Sequence, residues 1–73
     1  MFTRQEIIDI FAANLIYYRK RSGISQADLA GRIELDERQI RAYERAEYAP
    51  NAIYLFRMAQ VFKIKVDDFF KKR

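Results

Sequence analysis

Arg38 and Arg41 stand three residues apart in the run Asp36-Glu37-Arg38-Gln39-Ile40-Arg41-Ala42, so a helix places both on one side. A guanidinium presents a planar fork of donors, and that fork can pair bidentately with guanine O6 and N7 in a major groove. The competing reading is a solvated helix face on which Glu37 pairs with Arg41 across one turn. Gln26 carries the second candidate chemistry. It stands at the start of a separate helical stretch, where free backbone N–H groups and the positive end of the dipole favour an anion. A plain solvated first-turn residue would look the same.

Other chemistry is hard to assemble. The chain has no cysteine and no histidine, which excludes the usual zinc sites, Ser-His and Cys-His nucleophile systems, and any disulfide framework. Asp67 and Asp68 are adjacent in a short helical stretch and point apart, so they make poor catalysts and poor metal ligands. Gly23 and Gly31 are the only glycines, so there is no glycine-rich phosphate loop. These residues argue against an enzyme and imply no cofactor and no metal. The net charge of +4 favours an anionic partner.

The elements that must position Gln26 and the arginines read as five helices in one small domain, residues 1–73, with no strand. The first spans about residues 3–21, burying Ile8, Phe11, Ala12, Leu15 and Tyr18. Lys20 and Arg21 suit its C-terminal dipole, and Gly23 suits a left-handed cap. Ser25, with Asp28 three residues on, starts the second at about 26–33. Asp36, with Gln39 three residues on, starts the third at about 37–45; both pairs have capping-box spacing. Leu29, Ala30 and Ile33 form one apolar face, Ile40 and Tyr43 another, and Leu35 fills the turn. Asn51 caps a fourth helix after Pro50, burying Leu55, Met58, Ala59 and Phe62. The fifth is short, about residues 66–70. Two helices joined as tightly as the second and third must pack steeply, so that one can lie on a DNA backbone while the other enters the groove.

The motif Gly23-Ile24-Ser25-Gln26, Leu29-Ala30, Leu35, Ile40, Glu44 and Pro50 resembles the Cro/CI-type (XRE-like) helix-turn-helix family of phage and bacterial repressors. Leu15 and Arg19 match upstream. Leu55, Met58-Ala59, Phe62, Ile64, Val66 and Phe69 match core positions downstream. The match covers about residues 8–70, with the helix-turn-helix at about 25–46. The resemblance implies an all-α, lambda-repressor-like, five-helix DNA-binding domain. It places Glu37, Arg38, Arg41 and Ala42 at base-facing positions, where Glu37 would accept from cytosine N4 and Ala42 would meet a thymine methyl. It assigns Gln26 a phosphate contact and puts Gln39, Arg45, Tyr48 and Asn51 at or near other backbone-contact positions. Arg19 and Glu44 occupy positions that form an inter-helix salt bridge. Dimerisation usually uses the fifth helix and the adjoining face of the fourth, here Phe56, Phe69 and Phe70.

Departures from the family pattern accompany the match. Glu34, Ala46 and Lys63 stand where glycine is usual, and Glu34 must take a positive φ or a different turn. Glu34, Asp36 and Glu37 bring acid to where phosphates should approach, although Asp36 suits the helix dipole. Apolar residues exceed what the core can use: Phe2, Ile7, Ile16, Tyr17, Tyr48, Ile53, Tyr54, Phe56, Phe69 and Phe70 cannot all be inside.

The expectation is a cytoplasmic, non-enzymatic, sequence-specific transcriptional regulator. It would bind double-stranded DNA at a pseudo-palindromic operator as a homodimer, most simply as a repressor. No apolar run approaches membrane-span length and no secretory signal pattern opens the chain. The alternative is a protein-interaction module, an antitoxin or antirepressor that keeps the fold and uses its aromatic surfaces to hold a protein partner.

Overall fold

The computed structural model describes residues 1–73. It contains four α-helices and a 3-10 helix in the order α1 Arg4–Arg21, α2 Gln26–Ile33, α3 Glu37–Glu44, α4 Ala52–Phe62 and the 3-10 helix Val66–Phe70. The all-α expectation holds, with the fifth helix corrected. Five residues close through three-residue hydrogen bonds, such as Asp68 N–H to the Lys65 carbonyl at 3.0 Å, and do not extend into α-helical turns. α3 ends one residue earlier than expected, and Arg45 is its C-cap. No helix is long and apolar enough to cross a membrane.

Side chains at the N-caps set the starts. Thr3 Oγ1 accepts from Glu6 N–H at 3.1 Å while Glu6 accepts from Thr3 N–H at 2.8 Å. Ser25 and Asp28 repeat that reciprocal box ahead of α2. Asn51 caps α4 by accepting from Tyr54 N–H at 3.1 Å. Asp36 caps α3 differently. It accepts from Arg38 N–H at 2.8 Å and makes no box with Gln39, because the Gln39 amide oxygen accepts from the Tyr48 hydroxyl at 2.7 Å.

The ends share one device. Gly23, Glu34, Ala46 and Lys63 all have left-handed backbones, with φ of 70°, 61°, 60° and 57°. The residue after each donates to a carbonyl five back: Ile24 to Arg19, Leu35 to Ala30, Glu47 to Ala42 and Ile64 to Ala59. The chain therefore keeps the tight turn that glycine makes easy and places a side chain there at three of the four sites.

The core gathers Phe11 and Leu15 of α1, Leu29, Ala30 and Ile33 of α2, Ile40 and Tyr43 of α3, Met58 and Ala59 of α4, and Phe69. Phe11 lies 5.3 Å from Phe69 and 6.4 Å from Tyr43, centroid to centroid. Tyr18, Leu55 and Phe62, expected inside, pack only partly buried against this cluster. Phe69 is fully buried, which corrects its assignment to a dimer surface: a side chain already enclosed by its own core has no face left for a partner. Asn14 is the one buried polar residue. Its amide donates to the Phe69 and Lys71 carbonyls, both at 2.8 Å, and to the Ile10 carbonyl at 3.1 Å, while its oxygen accepts from Arg73 Nε. No buried side-chain nitrogen or oxygen is left unpaired.

Candidate nucleic-acid interface

Three residues, Glu34 to Asp36, join α2 to α3, and the left-handed Glu34 makes the reversal possible. Leu29 and Ile33 on α2 meet Ile40 on α3 within the core, so each helix keeps its opposite side for solvent. Arg57 reaches across from α4 and donates to the Ile33 carbonyl at 3.0 Å, holding the end of α2 from behind.

The exposed side of α3 carries Arg38 and Arg41. Arg38 is the freer, with its side chain 82% exposed and only a 3.5 Å contact to Asp36. Arg41 pairs with Glu37 at 2.8 Å across one turn. Of the three acids, Asp36 and Glu37 are thereby engaged, and Glu34 is exposed with no side-chain partner. The Asp36 carboxyl is held below its ordinary value, first by the Arg38 backbone N–H and then by its guanidinium, and Glu37 is matched by Arg41. Ala42 does not join this surface. It is buried, with 7% exposure, together with Ile40 and Tyr43 on the packed side of α3, whereas Ala13, Ala27 and Ala52 in the other helices are exposed, so its methyl has no face left for a thymine.

Gln26, the first residue of α2, turns its amide nitrogen to Glu44 Oε1 at 3.0 Å. Glu44 also receives Arg19 Nε at 2.5 Å and Nη2 at 3.0 Å, and the Arg19 and Glu44 side chains are only 13% and 8% exposed. Hydrogen bonding to Glu44 raises the Arg19 pKa above its ordinary value and keeps the guanidinium charged. Tyr48 is half-exposed, sits edge-on to Tyr43 at 5.5 Å, and holds Gln39 through the hydrogen bond described above. Arg45 is exposed, 3.8 Å from Glu47. Asn51 lies at the start of α4, its oxygen used as the cap. Phe56 and Phe70 are 57% and 37% exposed, and Ile53 adds a further 63% exposed side chain on α4.

Reasoning from the sequence missed the Gln26–Glu44 and Tyr48–Gln39 bonds and the polar centre at Asn14. The last left a signal: Asn14 falls three residues after Phe11 and four before Tyr18, a polar residue on an apolar stripe.

Two short helices joined by three residues, with Arg38 and Arg41 on the solvent side of the second, have the form of a helix-turn-helix motif. The helix-turn-helix family model matches residues 15–69, most of the chain. A Methanocaldococcus jannaschii protein, named as an uncharacterized HTH-type transcriptional regulator, is 34% identical over 56 residues, which cover 77% of this chain and 85% of that protein. No solved structure matches the chain. The chain belongs to the Cro/CI-type (XRE-like) helix-turn-helix family of transcriptional regulators.

Proposed function

We propose that this protein is a non-enzymatic, cytoplasmic repressor that recognises a pseudo-palindromic operator in double-stranded DNA as a homodimer. The observation that carries the reading is the pair Arg38 and Arg41 on the solvent side of α3, each a donor fork that fits guanine O6 and N7. Glu37, bonded to Arg41, orients that fork and supplies an acceptor beside it for a cytosine amino group. Gln26, Gln39, Arg45, Tyr48 and Asn51 contact phosphates and set the register of α3 in the groove. The exposed Phe56 and Phe70 form the dimer contact, and two-fold symmetry presents two copies of α3 to successive major grooves about 34 Å apart.

Equilibrium binding to random-sequence duplex over a salt series tests the DNA-binding part, because phosphate contacts weaken steeply with salt. Selection from a random duplex pool tests sequence specificity and the homodimer, with a two-fold symmetric consensus expected. Absence of salt-dependent binding to any duplex would replace this reading with the protein-interaction module.

A further inference from the structure

Gln26 and the Arg19–Glu44 ion pair form one hydrogen-bonded unit drawn from three helices. Glu44 Oε1 accepts from both Gln26 Nε2 and Arg19 Nη2, each at 3.0 Å, while Oε2 accepts from Arg19 Nε. Arg19 spends its remaining arm on the Ile24 carbonyl at 3.1 Å, so the same guanidinium also fixes the approach to α2. We propose that Glu44 is a positioning residue for the backbone contact. Its carboxylate, neutralised by Arg19, aims the Gln26 amide at the DNA phosphate.

The geometry decides which end of the amide faces inward. A carboxylate only accepts, so the nitrogen of Gln26 must face Glu44. One amide hydrogen is then used inside the protein, and the other remains for an outside acceptor. A phosphate oxygen is such an acceptor, and the start of α2 favours it electrostatically. The arrangement also removes a cost of binding. A free glutamine would lose rotamer freedom on meeting a phosphate, whereas one already tethered to a nearly buried carboxylate has lost much of it on folding.

Arg19 explains how an acid can stand so close to a polyanion. Unpaired, Glu44 would repel the phosphate that Gln26 is to meet. Paired through both Nε and Nη2, the two side chains carry no net charge and lie largely away from solvent. α1, which presents none of the proposed DNA contacts, thus controls a contact made from α2 through a residue of α3. The inference rests on the DNA-binding reading above.

The test combines two measurements. In the free protein, the Gln26 side-chain amide signals in a nitrogen–proton correlation spectrum should lie away from free-glutamine positions, and Glu44→Ala should return them there. Affinity for a random-sequence duplex is then measured for Gln26→Ala, Glu44→Ala and the double variant, at a low temperature where circular dichroism shows each folded. Each single variant should bind about tenfold more weakly, and the double no more weakly than the worse single. Glu44→Gln, which keeps a carbonyl oxygen that can accept from Gln26, should retain most of the affinity and displaced amide signals. Penalties that multiply in the double variant, or amide signals unmoved by Glu44→Ala, would overturn the coupling while leaving DNA binding intact. A wild-type protein that binds no duplex would overturn the DNA-binding reading and this inference together.

Discussion

The guanidinium of Arg19 in α1 meets the carboxylate of Glu44 in α3 through two hydrogen bonds, of 2.5 and 3.0 Å, between side chains almost withdrawn from solvent. Removing either partner leaves a charge uncompensated in that environment, which costs about 3 kcal/mol. Glu44→Ala and Arg19→Ala should therefore each lower the melting temperature by roughly 15 °C in a chain this small. The double variant should lose less than the sum of the two. Strictly additive losses in thermal unfolding would show that the two side chains act independently.

Left-handed backbone at Glu34, Ala46 and Lys63 leads to a prediction of opposite sign. A side chain there costs about 1–2 kcal/mol relative to right-handed backbone, and glycine avoids that cost while adding some unfolded-state entropy. Glu34→Gly, Ala46→Gly and Lys63→Gly should each stabilise the fold by about 0.5–1 kcal/mol in urea titration. A loss of stability at all three would show that the side chains earn their place through contacts.

Phe56, Phe69 and Phe70 separate packing from association. Phe69 is enclosed, so Phe69→Ala should destabilise the monomer by about 3–5 kcal/mol. Phe56→Asp alters a side chain 57% exposed and should leave the helical signal intact while shifting sedimentation toward monomer. Phe70→Asp should shift it too, with some loss of stability, because the Phe70 ring lies 6.1 Å from that of buried Phe11. Wild-type protein that sediments as a monomer at high concentration would remove the proposed interface.

Reading and positioning should separate on α3 and α2. Arg38→Ala or Arg41→Ala should cost about 1–3 kcal/mol on the selected operator and far less on random duplex, narrowing the gap between them. Gln26→Ala should weaken both by similar factors and barely change the salt slope, because the residue is neutral. If both arginine variants keep wild-type discrimination in competition binding, α3 does not read the bases through them.

Acid should loosen the fold in a defined direction. The carboxyls of Asp36, Asp68 and Glu6 are all held below their ordinary values: Asp36 chiefly by the Arg38 backbone N–H, Asp68 by Lys71, and Glu6 by the Thr3 backbone N–H. A carboxyl with a depressed folded pKa contributes stability that is present above its unfolded pKa and lost as pH falls through the folded one. Stability should therefore decline as the solution passes below about pH 4. Asp36→Asn keeps an oxygen for the cap and removes the titration, so its urea midpoint should fall less steeply over the acid range. An acid limb identical to wild type would exclude Asp36 from the effect.

The helix starts were legible because each rests on one local residue: Ser25, Asp36 and Asn51 cap where their types say they should. The left-handed turn at Glu34 was legible as a conflict between residue type and family pattern. What sequence does not carry is the choice among equals. Phe56, Phe69 and Phe70 have the same chemistry, and only the packing of the 3-10 helix against α1 puts Phe69 inside. Ala42 shares the helix with Arg38 and Arg41, but only the packing of α3 puts it on the buried side with Ile40 and Tyr43. Gln26 and Glu44 are eighteen residues apart, and no local rule predicts their bond.

Asn14 has a consequence for the order in which the molecule assembles. Its bonds to Phe69, Lys71 and Arg73 span 55, 57 and 59 residues, whereas the Gln26–Glu44 and Arg19–Glu44 bonds span 18 and 25. Loop-closure entropy grows with span, so α2 and α3 can dock while the segment from Val66 onward is still loose. Docking of that segment onto α1 then completes the enclosure of Phe11. The reverse order holds for opening: amide protons of the 3-10 helix should exchange with solvent through a partial release that leaves α2 and α3 paired. The paired α2 and α3 are thus insulated from fraying of the segment that follows Val66.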